Sequence, residues 1–446
     1  CISKEMNDSE LLEVVLNPLR STAGHPYSRV SKIHKYWSRK PWEVIDWHIQ
    51  NFSSLGETIL DPFCGSGIVG LEAIRHGRKF EGSDLNPFSV FLSNLTLSDN
   101  FSTDTFRELL AELASKVKSQ IDQLYRCSDG IVLYSIVGDS TALAHNALVS
   151  DSSYKKRIKS FIDFNQLPDC DDLPNNFQVP DAYFPSKFYK DRFSYKGVSR
   201  VSDMFTKRNL CALEILFQGI LTISEEYRDY FLLCLTNTLL HVSKLKSERV
   251  RPLGVNNYWI PDDFIEENVY WRFEDRAKRF LEAKAATLEN LSHERNSFRI
   301  RCADAQDLTE IPSASVDYLF TDPPYGDVVQ YSELSFIWNT WLNQVYKTDN
   351  EIIINPMQGK SQSTYLEQLV RFFEEARRVV RVDGRMTLAF HNKEMALWSA
   401  VASAIRKAGF ELEDLRVAHG VGSPFTKNWA DFSPKTDFYV TVRRTD

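Results

Sequence analysis

The chain has 446 residues, 43% of them hydrophobic and 25% charged, which is typical of globular proteins and not of disordered ones. Its length predicts two or three domains, and its net charge of −7 argues against a protein that coats nucleic acid through an overall basic surface. No secretory signal pattern or eighteen-residue apolar window is present, so we expect a cytoplasmic protein without a membrane segment. The seven cysteines form no C-x-x-C pair, so we expect reduced thiols and no metal site.

Residues 56–98 predict a β-loop-α-β unit. The apolar run TIL is followed by the loop DPFCGSG, by IVGLEAIRH with helical spacing, and by a strand, KFEGSD, that ends at Asp84. A glycine-rich loop between a strand and a helix lets a ligand approach the backbone and directs helix amides toward it. Gly65 and Gly67 would allow this approach, and Asp84 could accept hydrogen bonds from ribose hydroxyls.

The middle of the chain differs from both of its flanks, because helical spacing replaces the alternation of strand, loop and helix. The predicted helices lie at 104–125, 204–223, 225–246 and 273–291. Alternation of strand and helix returns at residue 298. The predicted domains are the first half of a parallel sheet at 1–99, a mostly helical insertion at 100–297, and the second half of the sheet at 298–446.

The segment FTDPPYGD follows an apolar strand, VDYLF, and its prolines end that strand. Because proline lacks an N–H and keeps the preceding residue extended, Asp322, Pro323 and Pro324 form a stiff loop that offers acceptors and almost no donors. The exocyclic amine of a base could donate to the Asp322 carboxylate and the Pro323 carbonyl, while Tyr325 offers a face for stacking. Two acceptors that hold the amine near tetrahedral geometry would localise its lone pair and direct it at an electrophile.

Taken together, LDPFCGSG, GSDLNP and TDPPY resemble the class I, S-adenosylmethionine-dependent amino-methyltransferases that modify adenine N6 or cytosine N4 in DNA. The resemblance covers residues 30–98 and 298–412. It implies an α/β fold with a Rossmann-like sheet flanked by helices, and S-adenosylmethionine as the cofactor. The cofactor-binding residues that it implies are Asp61, Phe63, Gly65, Gly67 and Asp84. The catalytic residues that it implies are Asp322, Pro323, Pro324 and Tyr325.

Weaker matches extend the resemblance. Asp304, eighteen residues before Asp322, resembles the acid that contacts the cofactor adenine, and the segment IVGDS at 136–140 is a rival for this role. The segment IHKYWSRKPW is similar to the one that packs over the carboxylate end of the cofactor, which suggests Trp37 and Lys40; a solvated basic and aromatic turn is the alternative. A related bacterial subgroup with a helical insertion often carries a zinc ribbon, and the cysteine pairs of a ribbon are absent here.

A basic and aromatic stretch lies at 181–211, which contains seven Lys or Arg residues, three Asp residues and seven aromatic residues. An enzyme that flips a base must bind the nucleic-acid backbone on either side of it, and basic residues for phosphates with aromatic surfaces for stacking would do so. The alternative is that the stretch is a solvated face beside the core. The predicted nucleic-acid contacts are Lys187, Lys190, Arg192, Lys196, Arg200, Lys207 and Arg208.

Three functions are compatible with these patterns. The first is a DNA adenine-N6 methyltransferase, with cytosine N4 as a close variant; no Pro-Cys dipeptide is present for the covalent route to cytosine C5. The second is a tRNA guanine-N2 methyltransferase, whose motifs are also similar, and the third is a nucleic-acid-binding protein without catalysis. We expect DNA as substrate, RNA as the alternative, and a restriction or defence protein as a candidate partner.

Overall fold

The computed structural model describes residues 32–37, 39–137, 144–163, 167–168, 177–186, 188, 198–248, 258, 260–291, 298–392, 394–419 and 436–446. In chain order, the strands are β1 (Thr58–Asp61), β2 (Lys79–Asp84), β3 (Arg126–Cys127), β4 (Gly130–Val137), β5 (Ala144–Ser150), β6 (Arg157–Asp163), β7 (Phe264–Glu267), β8 (Phe298–Cys302), β9 (Val316–Thr321), β10 (Val380–Phe390), β11 (Phe410–His419) and β12 (Thr436–Arg444).

The α-helices are α1 (Trp42–Phe52), α2 (Ile68–Arg75), α3 (Pro87–Leu97), α4 (Thr103–Leu124), α5 (Lys207–Leu221), α6 (Glu225–Leu239), α7 (Val269–Asn290), α8 (Tyr331–Leu334), α9 (Phe336–Trp341), α10 (Gln362–Val379) and α11 (Met395–Lys407). Short 3-10 turns occupy Val201–Met204, Thr348–Asn350 and Pro356–Gln358. Over the described part of the chain, no helix combines the length and the apolar character that crossing a membrane requires.

The main sheet has seven strands in the order β11-β12-β10-β9-β1-β2-β8. Strands β8, β2, β1, β9 and β10 run parallel, and β12 is antiparallel to both of its neighbours. Ile59 and Leu60 on β1 and Leu319 on β9 are fully buried, as expected for parallel strands covered by helices on both faces. The predicted α/β fold, a Rossmann-like sheet flanked by helices, is confirmed.

The carboxyl edge of this sheet carries the acids that the sequence predicted. Asp61 ends β1, Asp84 ends β2, Asp322 follows β9 directly, and Asp304 stands two residues after β8. Because the strands are neighbours and parallel, their carboxyl ends meet at one edge. The topology therefore brings together acids that lie up to 261 positions apart in the sequence.

The chain leaves the main sheet after α3 and returns at β8, which pairs with β2. The predicted helices of the insertion are present as α4 to α7. A second, five-stranded sheet lies among them and was not predicted: β4 pairs with β5, β5 with β6, and β3 and β7 pair with β4 on its other side. Short apolar runs such as GIVLYSIV in β4 suit a strand or a buried helix equally well, so periodicity alone did not reveal them.

Candidate active site

An open cavity lies at the carboxyl edge of the main sheet, and its empty space of about 820 Å³ includes its solvent-filled mouth. One side of its wall is the loop from Asp61 to Val69, and another is the N-terminal segment with Tyr36 and Lys40. The predicted site residues that line it are Trp37, Lys40, Asp61, Phe63, Gly65, Asp84, Asp304, Asp322 and Pro324. The structure thus joins the predicted cofactor loop and the predicted catalytic acid in one cavity.

The glycine loop depends on backbone conformations that favour glycine. Gly65 has φ of 51° and Gly67 has φ of 79°, in the left-handed region. A Cβ at Gly65 would lie 3.0 Å from the ring of Tyr36, and one at Gly67 would lie 3.1 Å from the Cβ of Ser93. A larger residue at either position would therefore clash with the side chain that packs against the loop.

The two acids nearest the glycine loop, Asp61, which is buried, and Asp84, which is half-buried, accept hydrogen bonds from backbone amides. Asp84 accepts from the amides of Gly65 at 2.9 Å and Asn86 at 2.8 Å, and Asp61 accepts from Phe63 at 3.1 Å. Burial raises the pKa of Asp84 to about 6. Burial, with the charges of Asp322 and Asp84, also raises the pKa of Asp61 well above its usual range. This excess of carboxyl groups favours a ligand that carries positive charge.

Asp304 lies at the adjacent strand end, where Gln306 donates to it from its backbone amide at 2.9 Å and from its side chain at 3.1 Å. The side-chain amide of Gln306 also donates to the carbonyl of Asn350, which ties Asp304 to another cavity-lining residue. The rival segment IVGDS begins in β4, a strand of the second sheet, and continues outside the described residues. Its described part therefore has no place at the carboxyl edge of the main sheet.

The aromatic residues predicted near the cofactor have packing partners. Trp37 is buried, and its ring stacks on Trp338 of α9 with centroids 4.8 Å apart. Trp338 also packs on Phe88 at the start of α3, 4.5 Å away. Phe63 packs edge-on against Phe372 at 5.1 Å. Trp37 thus anchors the N-terminal segment to both halves of the main sheet.

In the predicted catalytic loop, Asp322 lines the cavity and Tyr325 does not. The carbonyl of Pro324 accepts a hydrogen bond from Tyr365 at 2.7 Å, which fixes the loop. The hydroxyl of Tyr325 donates to Asp322, and this tyrosine is only 8% exposed. Among the described residues, Pro323 and Tyr325 are not part of the cavity wall. The predicted role of the Pro323 carbonyl as an acceptor stays a prediction.

The predicted open stacking face on Tyr325 is not present in this structure. Its ring packs edge-on against Phe390 at 5.6 Å, and the Lys40 ammonium lies 4.7 Å from its centroid. Lys40 was predicted to lie at the carboxylate end of the cofactor. It forms ion pairs with Asp322 at 3.5 Å and with Asp437 at 3.2 Å.

These ion pairs influence the charges of Lys40 and of the predicted catalytic residue Asp322. Burial opposes the charge of Lys40, but Asp322 and Asp437 outweigh it and raise its pKa, so the ammonium persists. Burial raises the pKa of Asp322 to about 6, although Lys40 and the hydroxyl of Tyr325 act in the opposite direction. A carboxylate with such a pKa can both accept hydrogen bonds and take up a proton near neutral pH.

Other cavity-lining residues escaped the sequence analysis. They include Tyr36, Tyr331, Tyr346 and Glu351. Tyr36 and Tyr331 belong to the segments IHKYWSRKPW and YSELSFIW, which the resemblance covers, so a signal for them existed. Glu351 is buried and accepts from the amide of Ser332 at 2.9 Å, and no pattern in the sequence pointed to it.

The predicted nucleic-acid contacts that the structure describes do not line the cavity. Arg208 is a correction: its side chain is only 8% exposed, it pairs with Glu266 at 3.3 Å, and it donates to the carbonyl of Leu124 at 2.6 Å. It is a structural residue of the insertion. Arg200 is 43% exposed and pairs with Asp181 at 2.8 Å. Lys207 begins α5. Outside the described residues lie Lys187, Lys190, Arg192 and Lys196.

A group that could ligate a metal, Asp46, Glu72 and His76, lies outside the cavity wall among the described residues. Arg75 lies within this group, 3.4 Å from Asp46 and 3.2 Å from Glu72, and His76 contacts Asp46 at 2.5 Å. The guanidinium supplies the positive charge that a metal would otherwise bring. We read the group as an ion-pair network between α1 and α2.

Residues 8–94 match the family model described as DNA methylase. The predicted resemblance to DNA amino-methyltransferases is confirmed. The Type II methyltransferase M.MjaII of Methanocaldococcus jannaschii is 24% identical over 89 residues, which are 20% of this chain and 17% of that protein. The match to M.MjaII thus spans about a sixth of that protein's length. The match to the family model agrees with the predicted cofactor, S-adenosylmethionine.

Solved structures show weaker likenesses. TTHA0409 from Thermus thermophilus, a candidate DNA modification methylase complexed with S-adenosyl-L-methionine, is 18% identical, with 32% of this chain and 54% of that chain covered and a TM-score of 0.21. TrmN, also from Thermus thermophilus, is 10% identical, with coverages of 94% and 52% and a TM-score of 0.32. Superpositions at these TM-scores do not define a relationship.

Proposed function

We propose that this protein is a DNA methyltransferase that transfers a methyl group from S-adenosylmethionine to the exocyclic amine of a flipped base, and that the base is adenine. One observation carries the proposal: Asp322, at the end of β9, lines the same cavity as the glycine loop around Gly65. An acceptor for an amine and a loop for a cofactor thus share one space. The family match of residues 8–94 to DNA methylases supports DNA as the substrate.

The cavity residues fit S-adenosylmethionine. Gly65 lines the cavity and exposes its backbone to a ligand there, whereas Gly67 packs against Ser93 outside the cavity wall. The carboxyl groups favour the positive charges of the cofactor. Asp84 would hold the ribose hydroxyls, Asp61 the methionine part and Asp304 the adenine amine, as the resemblance implies. When bound, the cofactor supplies an electrophilic methyl group on a sulfonium.

The catalytic acid then acts on the amine of the flipped base. Asp322 accepts one N–H, which localises the lone pair of the amine and directs it at the methyl group. During transfer, the N–C bond forms as the S–C bond breaks, and the amine becomes positively charged. The carboxylate of Asp322, with a pKa of about 6, stabilises this charge and accepts the proton that the methylated amine releases.

The test is nucleoside mass spectrometry after incubation of the purified chain with labelled S-adenosylmethionine and, separately, duplex DNA, single-stranded DNA and tRNA. 6-Methyladenine in DNA is expected. 4-Methylcytosine would change the target base, N2-methylguanine in tRNA would replace the proposal, and no product on any substrate would refute it.

A pair of variants assigns the chemistry to the catalytic loop. Asp322→Ala should abolish turnover while calorimetry shows cofactor binding, because its carboxylate acts on the base. Asp327→Asn changes an exposed acid of the same loop and should leave turnover unchanged. Turnover by Asp322→Ala at the wild-type rate would contradict the proposed role.

A further inference from the structure

The ammonium of Lys40 lies where the proposed reaction places the edge of the target base. Its Nζ is 3.5 Å from Oδ1 of Asp322 and 4.7 Å from the ring centroid of Tyr325. These two groups are the ones predicted to bind the amine and to stack on the ring of the base. A base that enters with its amine on Asp322 therefore contacts Lys40.

A second carboxylate keeps Lys40 at this position. Oδ2 of Asp437, at the start of β12, lies 3.2 Å from Nζ, and its Oδ1 lies 3.5 Å from Nδ1 of His391. Lys40 is only 9% exposed, so its side chain is held by its surroundings. If the base takes the place of Lys40 on Asp322, the bond to Asp437 still retains the ammonium beside the catalytic acid.

The chemistry of an ammonium limits what it can contact. Nζ has three hydrogens and no lone pair, so Lys40 is only a donor, whereas Asp322 as a carboxylate is only an acceptor. The two carboxylates take at most two of the three hydrogens when each accepts one. The pair Asp322 and Lys40 thus presents one acceptor and one donor side by side.

Adenine and cytosine carry the complementary pattern. In both, the exocyclic amine, a donor, lies next to a ring nitrogen whose lone pair points outward in the ring plane: N1 in adenine and N3 in cytosine. With the amine on Asp322, this ring nitrogen faces the neighbouring donor. A buried acceptor left without a donor is costly, so a protein donor here contributes to recognition.

We propose that Lys40 is a specificity-determining residue, which donates a hydrogen bond to the ring nitrogen adjacent to the target amine. The inference rests on the proposed function and deepens it. Lys40 leaves the face of Tyr325 when the base arrives, and Asp437 positions it. A base whose ring nitrogen carries a hydrogen at this place would oppose a donor to a donor and is rejected.

The test is a double-mutant cycle in which one change removes the ammonium of Lys40 and the other removes the ring nitrogen of the target base. Duplex oligonucleotides carry the site mapped from DNA that the wild type methylates, with either adenine or 1-deazaadenine at the target; 3-deazacytosine serves if the product is 4-methylcytosine. The wild type should lose about 5- to 100-fold in kcat/KM on the deaza base. Lys40→Met should discriminate much less between the two bases than the wild type does. The difference in discrimination between the two proteins isolates the contact of Lys40 from any effect of the deaza base on the amine itself.

Two further variants keep the result interpretable. Lys40→Arg keeps a donor and should retain part of the discrimination, while Asp437→Asn should weaken discrimination because it loosens Lys40. If Lys40→Met fails to fold, combining it with Asp437→Asn removes the charge imbalance that the single change creates.

Three outcomes separate the inference from the proposed function. Discrimination that persists in Lys40→Met overturns the inference. A tenfold loss of S-adenosylmethionine affinity in Lys40→Met, with discrimination intact, also overturns it and assigns Lys40 to the cofactor carboxylate. A wild type that methylates no nucleic acid refutes the proposed function, and the inference with it.

Discussion

The charged groups at the carboxyl edge of the main sheet differ in their surroundings from a buried charged pair in the insertion. At the edge, Asp61, Asp84 and Asp322 line a cavity, and burial raises the pKa of each one. In the insertion, Arg208 is paired with Glu266, both nearly inaccessible. Carboxyl groups that crowd a cavity are held at an energetic cost and mark a ligand site, whereas a closed ion pair marks a structural contact.

This difference shows which sequence evidence is reliable for function. The edge acids were found from their position after strands, which is a local property of the backbone. The basic residues of 181–211 were chosen by composition, and composition does not reveal which of them have partners. Arg208 illustrates the consequence, because a nearby acid from β7 removes it from any surface that DNA could reach.

The largest effect is expected for Arg208→Ala, which tests whether the ion pair of the insertion is structural. Because it removes the cation that pairs with the buried Glu266 and leaves only the hydrogen bond from Thr206, we expect the free energy of unfolding to fall by about 3–5 kcal/mol. Urea denaturation measures this change. Lys207→Ala, at the adjacent position, is the control and should cost less than 1 kcal/mol, roughly the range of surface changes. A stable Arg208→Ala protein with weakened DNA binding would return Arg208 to the interface.

The glycine loop provides the next largest effect. Gly65→Val places a Cβ 3.0 Å from the ring of Tyr36 in a backbone conformation that β-branched residues avoid, so S-adenosylmethionine affinity should fall roughly 10- to 100-fold. Calorimetry measures the affinity. Gly56→Val is the matched control, because Gly56 has φ of 81° and nothing within 4 Å of its added Cβ. Equal affinities for the two variants would separate the loop from the cofactor.

The raised pKa of Asp322 predicts the pH dependence of turnover. Protonation below about pH 6 removes an acceptor, so kcat at saturating cofactor should fall about tenfold per pH unit below that value and level off above it. Because Lys40 lowers the pKa of Asp322, Lys40→Met should move the inflection to higher pH. An inflection that stays at the wild-type pH in Lys40→Met would show that another group controls the rate.

The smallest expected effect concerns Arg200, whose side chain is 43% exposed. Its surface ion pair with Asp181 contributes roughly 1 kcal/mol or less to stability. If Arg200 contacts a phosphate, Arg200→Ala should reduce the slope of log affinity for DNA against log salt by about 0.9. Binding titrations at several salt concentrations measure this slope. An unchanged slope would place Arg200 with Arg208 among the structural residues.

Much of the cofactor half was predictable from local pattern. The loop that contains Gly65, the strand that ends at Asp84 and the helix after Gly67 all appear as expected. The second sheet was not predictable, because its strands are short and their partners lie elsewhere in the chain: β7 joins β4 after more than a hundred residues. The position of Lys40 over the ring of Tyr325 was not predictable either, because the two residues belong to segments far apart in the sequence.

By itself, the sequence determined the alternation of strands and helices, the left-handed glycines and the acids at the strand ends. These features follow from backbone sterics and hydrophobic periodicity within a few residues. Only the tertiary structure decided that Lys40 bridges Asp322 and Asp437, the latter 397 positions away, and that Arg208 is internal. Charges select their partners by distance in space and by burial, and neither quantity is encoded by spacing along the chain.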